Sequence, residues 1–185
     1  MRILAISGSL RSGSFSTALL RALAEEAPEG VEITLWDGLR DIPPYDADDD
    51  VDGGPPAVEA LREAVREADA VLIATPEYNG SIPGALKNAL DWASRPFATN
   101  AFRNKTVAVL SASTGAFGGV WAQTEARKVL GIMGARVADV EVTIAHAHEK
   151  VDENGFVIDD DVREALRDAL TTLVETAQPE LSTAA

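Results

Sequence analysis

The chain contains no cysteine. That absence excludes disulfides, thiol nucleophiles and thiolate-bound metals, and it fits a reducing compartment. No apolar run is long enough to span a bilayer, and the N-terminus opens on a strand pattern rather than a leader, so a cytoplasmic protein with no membrane partner is expected. Basic residues are also scarce, with 16 Lys and Arg against 30 Asp and Glu and a net charge of −14 at pH 7. A nucleic-acid backbone would be repelled by such a surface. A small anionic ligand remains compatible with it, because distant surface charge is screened while a single arginine acts at contact. The 185 residues suffice for one core, so residues 1–178 are expected to form a single domain, with a disordered tail at 179–185.

What is present organises itself around Gly8-Ser9-Leu10-Arg11-Ser12-Gly13-Ser14-Phe15-Ser16-Thr17. An apolar run, Ile3 to Ile6, precedes it, and Phe15, Leu19, Ala22 and Leu23 follow with the spacing of one helix face. A loop rich in Gly and Ser at a helix N-terminus offers free amides, hydroxyls and the positive end of a dipole to one point, which suits phosphate. Arg11 adds a forked cation. Gly8 and Gly13 have the spacing of the Walker A glycines, but Ser14 and Phe15 stand where that motif needs Lys and then Ser or Thr. The dinucleotide fingerprint fails at Leu10, where a second glycine belongs. A monophosphate cradle is left, with a plain turn capped by Ser14 as the alternative.

Val31, Ile33 and Leu35 alternate with Glu32 and Thr34, as at a sheet edge. Asp37 to Pro56 is Pro-, Gly- and Asp-rich and is expected to be an exposed loop. Within it Asp48, Asp50, Asp52, Gly53 and Glu59 fit the EF-hand spacing. Pro55 and the preceding Ile42-Pro43-Pro44 argue against that motif, and Glu59 suits the first turn of a helix opened by Pro56. Ala70 to Thr75 and Thr106 to Leu110 are continuous apolar runs, the pattern of parallel strands covered on both faces. Each leads through a loop of small residues into a helix: Pro76 to Gly84 in the first case, Ser111 to Gly119 in the second. Val137, Val140 and Val142 mark a last strand region, and a last helix begins near Asp160. His146 and His148 would share one side of an extended segment, but no third ligand is specified and no metal is expected.

Pro76-Glu77-Tyr78-Asn79-Gly80-Ser81-Ile82-Pro83-Gly84-Ala85-Leu86-Lys87-Asn88-Ala89-Leu90-Asp91-Trp92 resembles the signature of the NAD(P)H-dependent FMN reductases, the group that includes bacterial quinone and chromate reductases. Gly8 to Arg11 and Gly13 to Phe15 resemble that family's phosphate loop. The resemblance implies FMN as cofactor, with its phosphate at Ser9, Arg11, Ser14, Ser16 and Thr17, and with Phe15 among the cofactor-binding residues. It places the isoalloxazine ring against Pro76, Glu77, Tyr78, Asn79 and Gly80, and assigns Ser113, Gly115 and Gly118 to the ring or its edge. Tyr78 packs beside the ring on this reading or serves as a core or subunit contact. Glu77, whose charge would oppose anionic reduced flavin, is expected to turn away or make a structural bond. Gly80 is expected to permit close backbone approach.

Strand and helix alternate five times, so the expected fold is α/β, a flavodoxin-like three-layer sandwich with a five-stranded parallel sheet in the order 2-1-3-4-5. The expected activity is NADPH or NADH oxidation through FMN with a quinone, free flavin or other small-molecule electron acceptor. No side chain is needed as acid or base for hydride transfer. A flavodoxin-like electron carrier or redox sensor acting on protein partners is the alternative. The resemblance also implies a homodimer or a dimer of dimers, with the helix from Pro83 to Trp92 near the interface.

Overall fold

Two of the strands consist of buried residues alone. In the computed structural model, which describes residues 1–51 and 53–178, β3 (Ala70–Thr75) and β4 (Thr106–Ala112) are buried along their whole length. Their continuous apolar sequence follows from having helices on both faces. β1 (Arg2–Ser7) lies beside β3, and β2 (Glu32–Trp36) is the half-exposed edge. The parallel order is β2-β1-β3-β4-β5, as the alternation of elements requires.

The two faces of the sheet are read directly from residue parity. Leu4, Ile6, Val71, Ile73, Val107 and Val109 pack under α2 (Pro56–Glu67), α3 (Gly84–Ala93) and α4 (Val120–Ile132). Ile3, Ala5, Leu72, Ala108 and Leu110 pack under α1 (Phe15–Glu25) and α6 (Asp160–Ala177). Those two cores supply the hydrophobic driving force of the three-layer arrangement.

Three departures from the sequence-based expectations concern the margins. The fifth sheet position is filled by two short strands, β5 (Arg136–Val137) at the start of β4 and β6 (Val142–Ile144) at its end. Side chains of α4 bridge the break. Arg127 donates to the carbonyls of Ala138 (3.0 Å) and Val140 (2.8 Å), and buried Gln123 donates to Val109 (2.8 Å) and Val142 (3.1 Å). Residues 37–51 and 53–56 are not a free loop but a strap with two 3-10 turns, in which Leu39 and Ile42 are buried. Asn88 and Trp92 both donate to the Pro43 carbonyl, at 2.7 and 2.9 Å. Lastly, His146 and His148 do not lie on an extended segment: His146 is left-handed at φ 50° and α5 (Ala147–Lys150) follows.

The acidic stretch has a cation of its own. Arg62, 2 % exposed, donates to Asp50 (2.8 Å) and to the carbonyls of Gly53 and Trp92 (2.8 Å each). Asp52 lies outside the described residues, as does the expected tail at 179–185.

Candidate functional site

β1 and β3 are adjacent but lead away to opposite sides of the sheet, β1 to α1 and β3 to α3. Their carboxyl ends therefore diverge and leave a crevice, the position where open parallel sheets take ligands. A cleft of about 400 Å³ lies there. Its walls are the three loops singled out in the sequence: Ser9, Arg11, Ser14, Phe15 and Ser16 after β1; Pro76, Glu77 and Tyr78 after β3; Ser113 and Thr114 after Ala112 of β4.

The first loop is held by contacts outside itself. Gly8 donates to the Ala74 carbonyl at 2.8 Å, and an added Cβ there would come within 2.9 Å of Leu86 Cδ2 and 3.1 Å of Thr75 Oγ1. Arg40, from the strap, donates to the Leu10 carbonyl at 2.8 Å. Ser14 caps α1 by accepting from the Thr17 amide at 3.2 Å. This satisfies one of the first-turn amides, whereas those of Phe15 and Ser16 have no acceptor among the described residues. Ser16 Oγ is buried and has no hydrogen-bond partner either. An orphaned buried hydroxyl beside two free helix-start amides is costly unless a ligand oxygen completes it. Arg11 lies over Phe15, its guanidinium carbon 5.1 Å from the ring centroid, so the cation is held at the mouth of the same cleft. The residues present thus fit a phosphate. The capping role of Ser14 leaves the loop free to serve a phosphate.

Thr17 is placed differently. Its hydroxyl lies 2.8 Å from Ser7 Oγ, which ties α1 back to β1, and it does not line the cleft.

In the second loop, Glu77 turns aside as its charge requires. One carboxylate oxygen accepts from the amides of Trp121 (3.1 Å) and Ala122 (3.2 Å). α4 begins at Gly119, which has no side chain to cap it, and Glu77 takes over that task from 44 residues away. Replacing Glu77 with Ala should therefore lower stability by about 1 kcal/mol, the usual cost of a lost helix cap, read as a reduced urea midpoint at unchanged slope. Asn79 and Gly80 do not line the cleft. They are the centre of a two-residue hairpin, with φ of 54° and 73° and paired bonds between Tyr78 and Ser81. Gly80 meets no atom within 4 Å at its Cβ position, so its need is the left-handed turn rather than close approach. Tyr78 is exposed at the rim.

The third loop rests on the broken fifth strand. The Ser113 amide donates to Ile144 (3.0 Å), Ala147 donates to the Ser113 carbonyl (3.0 Å), and Ser111 Oγ donates to Gly118 (2.8 Å). The Gly115 amide donates to Ser113 Oγ at 3.1 Å, and the Gly115 carbonyl accepts from the His146 amide at 3.3 Å. Gly118 is buried against β6 and lies outside the cleft lining, because a Cβ there would meet the backbone of residues 143–145 at 2.8 to 2.9 Å.

Comparison with known proteins decides what this constellation belongs to. Residues 1–149 match the family model described as NADPH-dependent FMN reductase. The chain belongs to that family. An NAD(P)H-dependent FMN reductase of Pseudomonas aeruginosa is 44 % identical over 174 residues, covering 94 % of this chain and 93 % of the relative. A quinone reductase of Escherichia coli is 39 % identical over 181 residues, covering 96 % of each. Among solved structures, the flavoenzyme NAD(P)H:(acceptor) oxidoreductase FerB of Paracoccus denitrificans superimposes with a TM-score of 0.82 at 31 % identity, over 94 % of this chain and 97 % of that one. The chain is an NAD(P)H-dependent flavin oxidoreductase with FMN as its cofactor.

The structure adds two residues that sequence reading did not assign to the site: Thr114, which lines the cleft beside Ser113, and Arg40, which reaches the Leu10 carbonyl from 30 residues away, where no local pattern signals it.

Proposed function

We propose that residues 1–178 form one FMN-binding unit in which Ser9, Arg11, Ser14 and Ser16 hold the phosphate, while Pro76 to Tyr78 and Ala112 to Thr114 flank the ring. The observation that carries this is the start of α1, where the amides of Phe15 and Ser16 have no acceptor among the described residues and Ser14, Phe15 and Ser16 line the cleft. Bound FMN would supply the redox chemistry, hydride acceptance from NADH or NADPH and electron delivery to an acceptor. The protein's part is position and field. Unpaired amides at the first turn of α1 face the phosphate end, and Glu77 is withdrawn into the α4 cap so that its charge is compensated by helix amides.

For the acceptor we favour a quinone, on the strength of the names carried by relatives such as the Escherichia coli quinone reductase. A flat aromatic acceptor also suits a cleft whose lining includes exposed Tyr78. Phe117 and Trp121, whose rings meet edge-to-face at 5.1 Å, are exposed as well. The same exposed aromatics support a homodimer or dimer of dimers, since apolar surface of this kind is usually covered. A cytoplasmic location follows from the NAD(P)H supply, and among the described residues no helix is long and apolar enough to cross a membrane.

The test is anaerobic addition of NADPH to the FMN-loaded protein. Visible flavin absorbance should bleach within seconds and return on adding a benzoquinone. Bound FMN that neither NADPH nor NADH bleaches would favour the electron carrier, and failure to bind FMN would sink the assignment of the loops.

A further inference from the structure

The phosphate loop is a wall shared by two clefts. Behind it, Arg11, Ser14 and Phe15 also line a second space of about 450 Å³, closed on its far side by the hairpin that follows α5. Arg21, two turns along α1, joins Arg11 on one wall. His148, Asp152 and Glu153 stand on the other. Opposite charges face each other here, yet neither arginine has a carboxylate within ion-pair distance among the described residues. The cleft holds them apart. Asp152 is fixed in place by accepting the amides of Asn154 (2.9 Å) and Phe156 (2.8 Å) through one oxygen, which leaves the other available.

We infer that this second cleft is a subsite for the phosphate and ribose of an adenosine nucleotide. The arginine wall offers two forked cations to a phosphate. The hairpin wall offers carboxylate acceptors to the ribose hydroxyls, which is the pairing a nucleotide presents and a simple anion does not. Two sources carry that chemistry. One is the adenylate half of FAD, joined through the very phosphate held at Ser14 and Ser16; the other is the adenosine end of NADH or NADPH. The inference rests on the FMN reading and shares Arg11 with it, while Arg21, Asp152 and Glu153 belong to the second cleft alone.

The experiment is calorimetric titration of ADP into the full chain, with and without FMN, for the wild type and for Arg21→Glu. Arg21 makes no hydrogen bond or ion pair among the described residues, and its side chain is exposed, so the variant should fold. ADP binding that weakens tenfold or more in Arg21→Glu, with FMN affinity unchanged within twofold, supports the subsite. No ADP binding, or equal binding by the variant, overturns it, and the parallel FMN titration shows whether the flavin reading stands or falls independently. The source is read from two further quantities. A wild-type preference for FAD over FMN that Arg21→Glu abolishes assigns the cleft to the flavin. A raised KM for the nicotinamide dinucleotide, with kcat held and no FAD preference, assigns it to the co-substrate, and movement of neither quantity overturns the inference.

Discussion

Ser16→Asp should abolish useful FMN affinity while leaving the fold standing. Ser16 occupies the second position of α1, where a carboxylate is electrostatically favoured by the free amides and the dipole, to the extent of about 0.3–1 kcal/mol. The first-turn amides thus offset part of the cost of a larger, charged side chain where Ser16 is buried. FMN does not tolerate the change, because the new charge sits where the phosphate must lie and takes the amides it would use. Like-charge juxtaposition costs several kcal/mol, and about 3–4 kcal/mol corresponds to a loss of roughly 100- to 1,000-fold in Kd. Fluorescence titration of FMN measures this directly, with circular dichroism as the check on folding. A variant that binds FMN within threefold of the wild type would show that the phosphate lies elsewhere. The isosteric change Ser16→Ala separates the two parts of the argument: it removes the orphaned hydroxyl without adding charge, and should weaken FMN by only about 0.5–1.5 kcal/mol, one neutral hydrogen bond.

Much of this site was legible because its parts are local. A strand pattern, a loop of small residues and a helix pattern lie within about twenty residues of one another, and the parallel order brings three such units together without further information. What escaped reading is held by bonds between distant residues. The strap at 37–56 has the composition of a free loop, yet Asn88 and Trp92 pin Pro43 from the far side of the sequence. Break and repair of the fifth strand depend on Gln123 and Arg127, 11 to 19 residues from the carbonyls they serve. Arg62 did leave a trace. Val58, Leu61, Arg62 and Val65 follow the i, i+3, i+4, i+7 pattern of one buried face, so a charge at the third place implies a buried partner, here Asp50. Thr17 and Gly118 show the converse. Residue type and position in a ligand loop suggested contact, while packing assigned one to β1 and the other to β6.

Gly118→Ala should be strongly destabilising. The position has φ 62°, where an L side chain is strained by about 1–2 kcal/mol. The added carbon would also meet Thr143 C, Ile144 N and Ala145 N at 2.8, 2.9 and 2.9 Å. These are backbone atoms of β6 and its exit, and they cannot rotate away as a side-chain tip would. Relief requires the loop after β4 to lift from β6, which breaks the bonds from Ser111 Oγ to Gly118 and from the Ser113 amide to Ile144. Strain and overpacking together amount to about 2–4 kcal/mol, visible as a lower urea midpoint. Gly115→Ala is the control. Its Cβ would meet only Ser113 Oγ, at an ordinary 3.6 Å, and its φ is not positive, so stability should change by less than about 0.5 kcal/mol. Since Ser113 and Thr114 line the cleft proposed for the flavin and Gly118 does not, lifting the loop links a remote packing contact to the part of the cleft proposed for the ring. Gly118→Ala should therefore weaken FMN as well as the fold, whereas Gly115→Ala should leave stability intact whatever it does to FMN. Equal stability of the two variants would mean that the loop does not rest on β6 through Gly118.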